Sequence, residues 1–207
     1  MELKAWTWDT ETPISSPTLI HLDIQIVQSP MSCLLGQFPN LLHLRLTIGT
    51  VYDDEPAVIS TSLPSLRSLY FKTSRKYGPF LKFIIPHAPQ LVALQIGDAD
   101  AREAIDLFRE RWDRNDSYGA ARESLRLVRV VIPKPFFLRG TLGDLSELAL
   151  ILHAQRPHVQ TEWYSLTRDG EMLPPVMLNG IETTLVSEEP SPPLFECADE
   201  IIGASGI

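Results

Sequence analysis

The sequence predicts an α/β fold in which parallel strands alternate with helical crossovers, and three observations predict it. A leucine opens the pattern Leu-x-x-apolar-x-apolar five times, at Leu19-Leu22-Ile24, Leu41-Leu44-Leu46, Leu66-Leu69-Phe71, Leu91-Leu94-Ile96 and Leu125-Val128-Val130. A proline stands two residues before each of the first four opening leucines, at Pro17, Pro39, Pro64 and Pro89. Helix-compatible stretches fill most of the gaps between copies.

The opening leucines lie 22, 25, 25 and 34 residues apart, the unit length at which a short strand and a helix make one turn of a leucine-rich-repeat solenoid. Within a unit the period is 2, so the fourth and sixth positions point into the core and the third and fifth point out. No unit buries its apolar face alone. Stacked units do, giving an irregular solenoid of 22- to 34-residue units, with a parallel concave sheet and helices on the convex side.

Taken in order, Leu3-Trp6-Trp8 repeats the pattern at the N-terminus, so a strand is expected before any polar cap. This suggests that a preceding region is missing, or that Trp6 and Trp8 are covered in another way. Asp54-Glu55-Pro56 reads as a helix start, with Pro56 in the first turn. Pro79 opens a short apolar segment that Pro86 and Pro89 close. Ala99 to about Asp113 is expected as a helix, with Ala101, Ala104, Ile105, Phe108 and Trp112 on one face and Asp100 with Glu103 as a capping box. Leu142 to about Ala154 is another, with Leu145, Leu148, Ala149 and Leu152 on one stripe. After Pro157 the register weakens, because Val159 takes the first position while Glu162 falls where an apolar residue is wanted. A terminal hairpin is expected over about 161–178, turning at Arg168-Asp169-Gly170. The solenoid thus spans 1–180. Residues 181–207 form an acidic tail containing Pro and Ser, expected from Ser187 onward to be disordered.

Composition bounds the function. The chain has 207 residues, 44% hydrophobic and 21% charged, as in a single soluble domain. Its net charge of −8 is concentrated at the end, where Glu182, Glu188, Glu189, Glu196, Asp199 and Glu200 are joined by no Lys or Arg. No basic cluster favours nucleic acid. Two cysteines, Cys33 and Cys197, make no disulfide framework and point to a reducing compartment. No apolar run approaches a membrane span and no signal peptide is visible, so a cytoplasmic or nuclear location is expected, with no membrane partner.

The lead-in Phe38-Pro39-Asn40-Leu41-Leu42-His43-Leu44-Arg45-Leu46, the irregular spacing and the variable helices resemble the leucine-rich arms of fungal (basidiomycete-type) F-box proteins, over about Leu3 to Tyr164. In that family an F-box docks on a Skp-type adaptor and cullin, while the arm recruits a protein for ubiquitination. The F-box itself is lacking here, so the resemblance implies an adaptor and cullin only if an F-box region precedes this chain.

On this alignment the third-position row of the concave face runs Ala5, His21, His43, Ser68, Ala93, Leu127, and the fifth-position row runs Thr7, Asp23, Arg45, Tyr70, Gln95, Arg129. Arg and Tyr are enriched at binding hot spots, so Arg45, Tyr70 and Arg129 lead the candidate contacts, with His21, Asp23, His43 and Gln95 beside them. The plainer reading is that Asp23 and Arg45 pair across neighbouring strands with Tyr70 over them. His21 and His43 occupy equivalent positions of successive units. A solvated histidine ladder is the default, since zinc sites ordinarily take three or four protein ligands in fixed spacing. No phosphate loop, nucleophile elbow or His-Glu-x-x-His helix occurs, and no enzyme, cofactor or metal is expected. Two functions follow: the substrate-recognition arm of an F-box-type ubiquitin ligase subunit, or a stand-alone scaffold or regulator with no ligase link. In either, a protein partner lies on the concave face.

Overall fold

The computed structural model describes residues 2–5, 16–26, 38–48, 63–73, 84–97, 101–109, 123–133, 139–155, 158–166, 177–178, 181–182, 184–186, 190 and 192–205. Seven strands succeed one another along the chain: β1 (Glu2–Ala5), β2 (His21–Ile26), β3 (His43–Ile48), β4 (Ser68–Thr73), β5 (Ala93–Gly97), β6 (Leu127–Pro133) and β7 (Gln160–Leu166). They pair parallel in chain order. Two short strands, β8 (Met177–Leu178) and β9 (Ile181–Glu182), pair with each other, and β10 (Thr184–Val186) joins the far edge of the main sheet beside β7. Helix α1 (Ala101–Arg109) follows β5, α2 (Arg139–Gln155) follows β6, and α3 (Leu194–Ser205) comes last. This is an α/β arrangement built on a parallel sheet.

The prolines have a local role. Leu19, Leu41, Leu66 and Leu91 each donate a backbone hydrogen bond to the carbonyl three residues earlier, at 3.1 to 3.3 Å. Each turn so closed carries Pro17, Pro39, Pro64 or Pro89 at its second position, where the fixed φ of proline suits a β-turn. Each turn delivers the chain to the next strand in the same register. The Leu42 and His43 N–H groups both donate to the Ile20 carbonyl, and the same forked bond recurs from Arg67 and Ser68 to Leu42, and from Val92 and Ala93 to Arg67. Neighbouring turns are also tied sideways, through Asn40 Nδ2 to the Pro17 carbonyl at 2.8 Å and Ser124 Oγ to the Pro89 carbonyl at 2.6 Å.

All five opening leucines are buried, as are Leu22, Ile24, Leu44, Leu46, Leu69, Phe71, Leu94, Ile96, Val128 and Val130. Each such side chain contributes about 1.5–3 kcal/mol relative to exposure. Helix α1 adds Ala101, Ala104, Ile105 and Phe108 to the same core, and α2 adds Leu145, Leu148, Ala149 and Leu152. The two helices pack on each other, with Arg102 near Asp144 (3.6 Å) and Glu147 (3.8 Å), and Arg109 paired with Glu147. The expected helix at Asp54, the capping box at Asp100 and Glu103, Trp112 and the turn at Arg168-Asp169-Gly170 lie outside the described residues or side chains.

Three expectations are corrected. The first strand aligns three residues away from the expected register: Leu3 stands opposite Leu22 and Ala5 opposite Ile24, while Glu2 and Lys4 stand opposite His21 and Asp23. Ala5 therefore leaves the third-position row, and Thr7 lies outside the described residues. Second, the hairpin over 161–178 is absent among the described residues, because both partners of β7, β6 and β10, run parallel to it. Glu162 falls opposite Arg129 rather than in the core, and the core position goes to Trp163, opposite Val130. Third, the tail is not disordered over Leu194–Ser205. Leu194, Cys197, Ala198 and Ile201 fall at i, i+3, i+4 and i+7, an apolar stripe that has a sheet face to cover.

Candidate binding surface

The outward rows stand as the alternation requires from β2 to β6. His21, His43, Ser68, Ala93 and Leu127 are in mutual register, and so are Asp23, Arg45, Tyr70, Gln95 and Arg129. Strand β7 extends them with Gln160 and Glu162. All seven candidate residues therefore share one face. They do not share one environment, because α3 lies on that face.

Helix α3 seats Leu194, Cys197 and Ala198 against Ala93 and Leu127, with Tyr70 and Ile201 packed at the margin. Beneath it Arg129 is 1% exposed and Gln95 3%. Arg129 holds three groups at once: its Nε donates to Glu162 Oε2 at 2.8 Å, its Nη1 to the Pro192 carbonyl at 3.0 Å, and its Nη2 to Cys197 Sγ at 3.3 Å. Its guanidinium also stands 5.2 Å from the Tyr164 ring centre. Burial works against the charge of Arg129, but the hydrogen bond and charge of Glu162 outweigh it and hold the pKa above the ordinary value. Burial, reinforced by Glu162, likewise raises the Tyr164 phenol, which donates to Glu162 Oε2 at 3.0 Å. Arg129, expected as an exposed contact, is instead the post on which the C-terminal segment rests. Gln95 is likewise withdrawn from solvent.

The other end of the face is more open. Arg45 Nε lies 3.7 Å from Asp23 Oδ2 across the β2–β3 pair, and its guanidinium stands 4.5 Å from the Tyr70 ring centre. The plain cross-strand pairing thus describes these three residues, each of which keeps part of its surface in water. His21 and His43 stack at 4.4 Å between ring centroids, tilted by 51°. Phe195 of α3 meets the His21 ring edge-on at 5.0 Å. His43 is 5% exposed and shares a 2.9 Å hydrogen bond between its Nδ1 and Ser68 Oγ. Burial first, then the charges of His21 and Arg67, lower its pKa to about 4 against the opposing pull of Asp199. The ring is neutral near pH 7, so the expected ladder is half buried rather than solvated throughout. Asp199 of α3 approaches His43 Nε2 at 3.7 Å and Arg67 Nη1 at 3.8 Å.

Between this end of the sheet and the start of α3 lies a cavity of about 240 Å³, walled by His21, Asp23, Arg45 and Tyr70 and roofed by Pro193 and Phe195. Among the described residues no group of three His, Cys, Asp or Glu side chains is placed to hold a metal ion, and no helix is long and apolar enough to cross a membrane.

Sequence reasoning missed two participants. Counted from Val159, Glu162 breaks the pattern at a position that wants an apolar residue, and sliding the last unit by one sets it opposite Arg129. Helix α3 was hidden by the Pro, Ser and Glu before it, although Leu194-Cys197-Ala198-Ile201 carries a helical period. No family model, curated protein or solved structure matches this chain.

Proposed function

We propose that the chain is a protein-interaction module, the substrate-recognition arm of an F-box-type ubiquitin ligase subunit, built as a leucine-rich-repeat solenoid whose concave side is the outward face of the sheet. In this reading the arm holds a target protein and the chemistry takes place on other subunits. One observation carries it: five consecutive strands set their outward residues in unbroken register, and at one end Asp23, Arg45 and Tyr70 border a cavity rather than a packed interior. Arginine and tyrosine in such a setting combine contact area with directed hydrogen bonds. The proline turns and leucine lead-ins that make the register are the same residues that resemble the F-box family arms.

The test is purification of the tagged chain from its native extract with cullin activity blocked, beside an Arg45→Ala/Tyr70→Ala variant of equal thermal stability. Co-purifying proteins that the variant loses are the expected result, joined by a Skp-type adaptor and cullin when the tagged protein carries an F-box region ahead of this chain. Partners retained by the variant contradict the assignment of the surface. Partners in constant ratio without adaptor or cullin, from a protein tagged together with whatever precedes this chain, replace the ligase arm with the stand-alone scaffold.

A further inference from the structure

The C-terminal helix shows what the outward face is shaped to hold. Its contact stripe has one large residue at each end, Leu194 and Ile201, and two small ones between, Cys197 and Ala198. Small central residues let a helix lie close to the sheet, where Ala93 and Leu127 are the matching floor. The flank is charge-matched, since Asp199 Oδ1 stands 3.8 Å from Arg67 Nη1. The seat at Arg129 reads the backbone carbonyl of Pro192 and a sulfur, together with Glu162 from the sheet. Of these contacts only the sulfur depends on which side chain the helix carries at that point. A second helix with a carbonyl at the same place meets the same donor.

We infer that the outward face is a receptor for an acidic amphipathic helix, and that Leu194–Ser205 occupies it in cis until a partner's helix of the same chemistry displaces it. The partner segment carries a large apolar residue, small residues three and four positions on, a further large apolar residue seven positions on, and an acid at the place of Asp199. This rests on the reading of the outward face as the recognition surface, and it adds the kind of segment recognised and the gate that controls access. The tether makes the gate effective, because a linked helix competes at a local concentration in the millimolar range.

The experiment uses the full chain and, as probe, a fluorescent peptide of residues 190–207. Ala198→Trp puts a bulky ring where there is no space, and Leu194→Asp removes the first apolar anchor; two variants guard against one failing to fold. Each undocks the helix without touching the sheet. Either variant is expected to bind the peptide roughly a hundredfold more tightly than the unaltered chain. A peptide carrying Glu196→Lys, Asp199→Lys and Glu200→Lys is expected to bind about tenfold more weakly than the native one. Equal, weak binding by folded variants and unaltered chain overturns the receptor, and equal binding of both peptides overturns its preference for acids. An unaltered chain that is dimeric by light scattering, and monomeric once Ala198 is replaced, makes a second copy the occupant and overturns the separate partner. Peptide exchange that succeeds while no target is captured from extract leaves the receptor standing and the ligase-arm reading failed.

Discussion

On β2 to β4 the outward residues Asp23, Arg45 and Tyr70 are part-exposed around a cavity whose wall the buried Gln95 of β5 joins, whereas on β6 the equivalent Arg129 is enclosed beneath the C-terminal segment. The strand pattern, the turn chemistry and the inward leucines are alike in both regions. What differs is the segment that arrives from some 65 residues downstream, measured from Arg129 to Leu194. An outward position in a repeat therefore stays open to solvent or becomes a structural post according to what the chain later lays across it. Arg45 and Arg129, in the same row and three strands apart, make the case: the first pairs with Asp23 in partial contact with water, the second is enclosed with Glu162.

The largest effect expected is on what the two regions share. Phe71→Ala empties a fully buried site on the core face of β4, and a loss of about 3–5 kcal/mol is expected from urea unfolding, with both ends of the sheet melting together. Separate transitions would show that the two regions are not one cooperative unit.

Arg129→Ala comes next. It leaves Glu162 without its main partner and the Pro192 carbonyl with only the weak Cys197 thiol as donor, and should cost about 3 kcal/mol. A double variant, Arg129→Met with Glu162→Leu, should recover most of that, since exchanging a buried pair for apolar groups of similar volume is near neutral. If the single variant costs under about 0.5 kcal/mol, as at a solvated site, the contrast drawn between the two regions is lost.

Acid should probe the boundary between them. Because folding lowers the His43 pKa from 6.5 to about 4, the unfolded chain takes up the proton first. The stability contributed by the neutral ring is complete above about pH 6.5 and is lost as the pH falls toward 4. The unaltered chain should lose on the order of 3 kcal/mol more over that interval than His43→Gln, read from urea midpoints at each pH. Parallel curves for the two proteins would mean that His43 is not buried under the helix. The smallest effect is expected of Arg45→Ala, at most about 1 kcal/mol, because the pair with Asp23 is partly solvated.

Much of the fold was legible because leucine and proline report it through local rules. Leu19, Leu41, Leu66, Leu91 and Leu125 mark the strand lead-ins, and counting from them places all seven candidate residues on one face. The same counting failed at both ends of the array. At Leu3 two registers satisfy the period of 2, and the strand takes the one that sets Leu3 opposite Leu22. At Val159 the apolar residue marks the second position rather than the first, which takes the misfitting Glu162 from an inward position to one opposite Arg129. Burial of the candidate surface was not legible from the strands at all. It depends on a long-range contact between a helix rich in acids and a row of outward residues, and no local period encodes which face such a helix will choose.

The central claim is that α3 sits on the outward face, and a methyl NOE experiment on the full chain in solution tests it most directly. Cross-peaks linking the Ala198 and Ile201 methyls to those of Ala93 and Leu127, with helical shifts through 194–205, are the predicted result. Random-coil shifts for that segment and no such cross-peaks would contradict it, and would return Arg129 and Gln95 to the open surface.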